Sequence, residues 1–215
     1  MNKKITDQFG FYAVLTDPIR GYEYLTRTCV EHCVTFVQLR MKDAPLSSIY
    51  KTAESMKKIT EGSQTKLVIN DFPQIAADIC ADGIHVGQTD LSYDEVLKIV
   101  GKDMIIGIST HSESQAIETS RFNPDYIGAG PVYPTPTKKI PDPAIGTDGL
   151  KKILGCTSIP AVAIGGINLD NFRDVLNTGA VNFCMVRQFT QSPTPERVLK
   201  TIQTIYNEYY PEFYK

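Results

Sequence analysis

No stretch of roughly eighteen apolar residues occurs in this chain, so no segment reads as a membrane-spanning helix. The opening "MNKKITDQFG" also lacks the hydrophobic stretch of a secretory signal, and a soluble, cytoplasmic protein is expected. Net charge is scarce: 22 Lys and Arg against 24 Asp and Glu leave −2. Nothing global therefore points to nucleic acid or an anionic membrane as partner, and any basic character must be local. The five cysteines (Cys29, Cys33, Cys80, Cys156, Cys184) are an odd number without a C-x-x-C pair. They read as reduced thiols rather than a disulfide framework. "CVEHC" groups Cys29, His32 and Cys33 but has no second ligand cluster. It reads as two small apolar residues one helical turn apart. No G-x-G-x-x-G follows the first apolar run, and internal repeats and low-complexity segments are missing.

What is present is alternation. The runs "FYAVLTD", "FVQLRMK", "KLVIND", "GIHVGQ", "IIGIST", "YIGAGPV", "PAVAIGG" and "FCMVRQ" are short and mostly β-branched or aromatic in their apolar members. Strands buried on both faces have that composition. Between them lie amphipathic, helix-length stretches such as "SSIYKTAESMKKI" and "SYDEVLKIV". "SYDE" from Ser92 and "SESQ" from Ser112 each fit a capping box. Eight strands alternating with helices in 215 residues predict an α/β fold, a single-domain (β/α)8 TIM barrel spanning residues 1–215. A doubly wound open sheet is the alternative, but it usually has fewer strands and a glycine fingerprint after the first. The tyrosine-rich C-terminal stretch after Pro195 is suited to pack on the barrel or on a second copy of the chain in a homo-oligomer.

Strand parity assigns directions to the polar residues. Gln38, Arg40 and Lys42 share one face of the second strand and point inward, while Leu39 and Met41 point toward the helices. Asn70 and Ser109 also fall inward, as do Gly107, Gly128 and Gly130, whose missing side chains leave space near the top. Polar groups around a hollow at the C-terminal ends of barrel strands describe a ligand site, or a set of side chains that satisfy one another. Two acids follow neighbouring strands: Asp71 and Asp90. Taken alone, Asp71 in "DFPQ" reads as a helix N-cap. Asp90 has no such role, because Ser92 is the better cap, and together the pair suits Mg²⁺ shared with a diphosphate.

The segment from Pro131 to Thr147 holds five of the thirteen prolines. It offers Thr135 and Thr137 as hydroxyl donors and Lys138 and Lys139 as cations, the chemistry of a phosphate site or of a solvated basic loop. "IGGIN" supplies glycines that let the backbone approach a ligand ahead of a helix.

"QLRMK" (38–42), "IND" (69–71), "ADGIHVGQTD" (81–90), "GIST" (107–110), "DYIGAGPVYPTPTK" (125–138) and "AIGGIN" (163–168) together resemble the thiamin phosphate synthase family, in the family's order and over nearly the whole chain. The resemblance implies a barrel enzyme, a transferase, that joins two small-molecule substrates. These are a hydroxymethylpyrimidine diphosphate and a thiazole phosphate or its carboxylated tautomer. It assigns the pyrimidine diphosphate to Gln38, Leu39, Arg40, Met41, Lys42, Asn70, Ser109 and Lys138, and Mg²⁺ to Asp71 and Asp90. It assigns the thiazole phosphate to Thr135, Pro136, Thr137, Gly166 and the backbone at Val186 and Arg187. Catalysis, by dissociative loss of diphosphate, is carried in this scheme by Arg40, Lys42, Ser109 and Lys138. Two positions depart from the family pattern: Arg187 stands where a small Val-Ser pair is usual, and Met41 replaces a glutamate. A related thiazole tautomerase is the nearest competing reading, but its kind places a histidine about where Pro131 stands. A barrel that binds thiamin precursors without turnover is the other. His85 reads as a barrel hydrogen-bonding residue, and His111 has no assigned role.

Overall fold

Each apolar run forms a strand, because its alternate side chains are buried on both sides of the backbone and leave no face for water. The computed structural model describes residues 5–136, 142–211 and 213–214. In chain order the strands are β1 (Gly10–Leu15), β2 (Phe36–Leu39), β3 (Lys66–Asn70), β4 (Gly83–Val86), β5 (Ile105–Thr110), β6 (Tyr126–Ala129), β7 (Ala161–Ala163) and β8 (Asn182–Phe183). Each pairs in parallel with the next, and β1 pairs with β8, so the sheet closes into a barrel. Thr137 and Lys138, both expected at the site, lie outside the described residues.

The helices follow from amphipathic spacing. In α2 (Leu46–Thr60) the buried residues Ile49, Ala53, Met56 and Thr60 recur at helical spacing and face the barrel. α4 (Tyr93–Val100) starts with the full reciprocal capping box at Ser92 and Glu95. α5 (Glu113–Ser120) has only half of one. Ser112 accepts from the Gln115 N–H, whereas the Gln115 side chain accepts from the backbone of His111 instead. Cys29 is buried within α1 (Tyr22–Glu31), but Cys33 lies beyond that helix, exposed and in a left-handed turn at φ 53°.

Two apolar layers result. One, between strands and helices, includes Leu15, Leu39, Ile69, Ile84, Ile108 and Phe183. The other fills the barrel itself with Phe9, Tyr12, Val14, Phe36, Val68, Ile105, Tyr126, Val162 and Cys184. The C-terminal segment after α9 (Pro195–Tyr209) packs against the start of β1: the Tyr214 hydroxyl accepts from the Phe11 N–H at 2.7 Å, and the ring of Tyr206 packs against Tyr214. The upper end stays open. Among the described residues no helix is long and apolar enough to cross a membrane.

Candidate active site

A cavity of about 730 Å³ opens at the C-terminal ends of the strands, the end where loops of this fold gather polar groups. Its floor is a hydrogen-bonded chain of side chains. Gln38 Nε2 donates to the Tyr12 hydroxyl at 2.9 Å, and the hydroxyls of Tyr12 and Tyr126 lie 2.7 Å apart. Tyr126 meets His85 Nδ1 at 3.0 Å, and His85 Nε2 meets Ser109 Oγ at 2.9 Å. Strand register explains the reach. His85 pairs with Gly107, which pairs with Tyr126, so a residue without a side chain sits between two rings. A methyl on Gly107 would lie 2.1 Å from the Tyr126 ring. The gap expected near the barrel top at Gly107 is therefore filled by Tyr126, while Gly128 and Gly130 do face the cavity. Burial pushes the Tyr12 and Tyr126 hydroxyls well above the usual phenol range. Asn70 Nδ2 lies beside this floor, buried and without a hydrogen-bond partner among the described residues.

The rim is charged. Lys42 Nζ is 2.7 Å from Asp71 Oδ2, and Asp90 Oδ2 accepts the Gly87 N–H at 2.7 Å. Burial raises the Asp71 carboxyl; Lys42 opposes and neighbouring Asp90 adds to the rise. Burial acts the same way on Asp90, but the Gly87 N–H, Asp71, Lys42 and His85 outweigh it and hold this carboxyl below the usual range. Burial and a like-charged neighbour thus push Asp71 one way while nearby donors push Asp90 the other. The capping role weighed for Asp71 is not what forms. α3 (Pro73–Asp78) has Phe72 as its N-cap with no side-chain bond, and Asp71 adopts φ 64°, its N–H donating to the carbonyl of His85. That left-handed turn, which aspartate tolerates better than most residues, leaves its carboxyl on Lys42 rather than on the helix start.

The far wall comes from the β6 and β7 loops. Gly165 and Gly166 have φ 97° and 64°, and a side chain on either would strike Pro131, Tyr133 or Pro134 within 3 Å. These glycines were expected to admit a ligand; they first admit the neighbouring loop. Val132 and Tyr133 donate to the carbonyls of Ile164 and Gly165 at 2.9 and 3.0 Å. The loop is closed at its root as well, since Ile145 and Gly146 donate to Pro131 and Val132. Its last residues already belong to α6 (Gly146–Cys156).

Twelve residues assigned from the sequence line this one cavity: Gln38, Arg40, Lys42, Asn70, Asp71, Asp90, Ser109, Thr135, Pro136, Gly166, Val186 and Arg187. The guanidinium groups of Arg40 and Arg187 have no hydrogen bond or ion pair among the described residues. The side chains of Leu39 and Met41, which the resemblance also assigned to the pyrimidine diphosphate, pack with the apolar layer outside the barrel, as strand parity requires. Tyr12, Tyr126 and His111 are among the lining residues that went unassigned. Tyr12 and Tyr126 read as core aromatics, and their hydroxyls have no sequence signal. His111 Nδ1 donates to the Gly130 carbonyl at 2.6 Å and its Nε2 lies 3.5 Å from Asp142; a histidine closing an inward-facing strand was the available clue.

Residues 12–189 match the family described as thiamine monophosphate synthase. A thiamine-phosphate synthase of Clostridium botulinum (strain 657 / Type Ba4) is 46% identical over 146 residues, 68% of this chain and 71% of that protein. One from Clostridium novyi (strain NT) is 38% identical over 181 residues, covering 82% and 89%. The solved thiamine phosphate pyrophosphorylase of Pyrococcus furiosus superposes with a TM-score of 0.85 at 28% identity, over 96% of this chain and 98% of that one.

Proposed function

The chain belongs to the thiamine monophosphate synthase family and is a transferase, and from that premise we propose that it joins a hydroxymethylpyrimidine diphosphate to a thiazole phosphate, releasing diphosphate. The observation that carries this reading is the convergence of Arg40, Lys42, Asp71 and Asp90 on one cavity, beside whose floor the buried Asn70 Nδ2 has no hydrogen-bond partner among the described residues. Buried donors without acceptors are costly in a finished core, and this one matches a polar heterocycle seated above it. The cations beside it match an anionic leaving group.

The donor set fits Mg²⁺: two neighbouring carboxyl groups at the ends of adjacent strands, with the Lys42 ammonium on one of them. Asp71 and Asp90 would hold it, with the remaining positions left for phosphate and water. Bound there, the ion would neutralise charge on the departing diphosphate. The chain's own residues do the rest. Arg40 and Lys42 would stabilise the negative charge that grows as the C–O bond breaks and its electron pair leaves with the diphosphate. The thiazole nitrogen then gives its lone pair to the methylene carbon, forming the C–N bond. No protein nucleophile is required, and holding the two rings in line supplies much of the acceleration. Thr135, Gly166 and the backbone at Val186 and Arg187 would seat the thiazole phosphate, with the Arg187 guanidinium, which has no partner among the described residues, available as a fork-shaped second contact. Lys138 is assigned to the diphosphate by family resemblance.

Incubating the purified protein with both substrates and Mg²⁺ tests the reading. Thiamin phosphate and diphosphate should appear in equal amounts, only when both substrates are present. Binding of either substrate with no diphosphate released would favour the non-catalytic reading instead.

A further inference from the structure

In the chain Gln38–Tyr12–Tyr126–His85–Ser109 each interior member has one proton to give, and satisfying every buried proton within the chain fixes the direction of each bond. Gln38 Nε2 only donates, so Tyr12 accepts there and its own proton goes to Tyr126. Having accepted, Tyr126 donates to His85 Nδ1. A neutral imidazole accepting at Nδ1 carries its proton on Nε2, which it gives to Ser109 Oγ. The remaining proton, on Ser109 itself, is then free for a group in the cavity that Ser109 lines. These contacts join β1, β2, β4, β5 and β6, and the two tyrosines are 114 residues apart in sequence.

The geometry points to Tyr12 and Tyr126 as positioning residues that carry the amide orientation of Gln38 across the barrel to the tautomer of His85, and so present the Ser109 hydroxyl as a donor to the substrate. The inference rests on the synthase reading only for what that substrate is; a heteroaromatic ring nitrogen is the matching acceptor class. Packing alone does not account for the pair. Phenylalanine at both positions would fill the same space among Phe9 and Phe36 without the cost of burying two hydroxyls. Gly107, moreover, leaves room that the Tyr126 ring needs in order to lie 5.5 Å from the His85 ring, nearly parallel to it. The two ends of the chain are always opposite in kind: were the Gln38 amide turned over, every bond would reverse and Ser109 would become an acceptor.

Long-range proton–nitrogen NMR on the ligand-free protein reads this directly, and with three histidines in the sequence the His85 signal is separable. The expected result is His85 neutral with its proton on Nε2. Tyr126→Phe keeps the ring in the Gly107 gap but cuts the chain. It should let the Nδ1–H form appear and lower kcat/KM for the pyrimidine diphosphate by about tenfold, the scale of one hydrogen bond. Tyr12→Phe should loosen the tautomer in the same direction and decides the matter if Tyr126→Phe does not fold. A proton on Nδ1 in the unmodified protein, or a tautomer unmoved in both variants, overturns the inference. The two readings fail separately. A tautomer that responds in a protein making no thiamin phosphate removes the synthase reading and keeps the relay. Product formation with an unresponsive tautomer does the reverse.

Discussion

The Lys42 ammonium sits 2.7 Å from the Asp71 carboxylate at the mouth of the barrel, with Lys42 still 44% exposed. An ammonium that remains wet while gripping a partly buried acid contributes little to stability. It is well placed to trade that partner for a more highly charged one. Lys42→Met should therefore leave the unfolding midpoint nearly unchanged while lowering kcat by about 10²-fold, the usual scale for removing one charge-stabilising donor. Chemical denaturation and steady-state diphosphate release measure the two effects. A loss of stability with kcat intact would assign Lys42 a structural role.

Asp90→Asn separates charge from shape at the second acid. The amide oxygen can still accept the Gly87 N–H that Asp90 now holds, so the loop should keep its form. The charge suited to a divalent cation is lost. Titrating activity with Mg²⁺ should show a requirement raised by about tenfold or more, with the fold intact by circular dichroism.

Gly107→Ala should be destabilising even though it adds only a methyl. Its Cβ would lie 2.1 Å from the Tyr126 ring, and overpacking of this kind costs about 1–3 kcal/mol. Urea unfolding checks the magnitude. Because the ring must move, the Tyr126–His85 bond should be lost at the same time.

Alkaline pH should weaken the fold through its buried tyrosines. Burial raises the hydroxyls of Tyr12, Tyr126 and Tyr214 above their ordinary value of 10.0. A group raised in the folded state stabilises fully below its unfolded pKa, and that contribution is lost as pH climbs from there through the folded value. Each tyrosine that stays neutral in the fold adds a slope of about 1.4 kcal/mol per pH unit in that window. Denaturation midpoints at pH 8 and pH 11 should differ accordingly, and Tyr214→Phe should reduce the difference.

Arg187→Ala addresses the departure from the family pattern. If its guanidinium grips the thiazole phosphate, KM for that substrate should rise about tenfold with kcat little changed. A fall in KM would mean that the side chain crowds the thiazole end.

What could be read from the sequence divides along physical lines. The barrel was legible because eight short β-branched runs between amphipathic stretches have few ways to bury themselves. Strand parity then sufficed to send Gln38, Arg40, Lys42, Asn70 and Ser109 to the same cavity. Parity gives direction but not partners, so the Tyr12–Tyr126 contact, built across 114 residues, stayed hidden. Asp71 was ambiguous for a local reason. "DFPQ" carries the composition of a helix start, and only the left-handed φ of 64° reveals that its carboxyl serves Lys42. Gly107 misled in the opposite sense: a missing side chain signals space, and the sequence does not say which neighbour takes it.

A crystal of the protein soaked with Mg²⁺ and diphosphate tests the cradle at its centre. One diphosphate is expected in the cavity, with a magnesium ion held by Asp71 and Asp90 and with Arg40 and Lys42 within hydrogen-bonding distance of the diphosphate oxygens. Diphosphate bound elsewhere, or held in the cavity with neither acid near the metal, would contradict it.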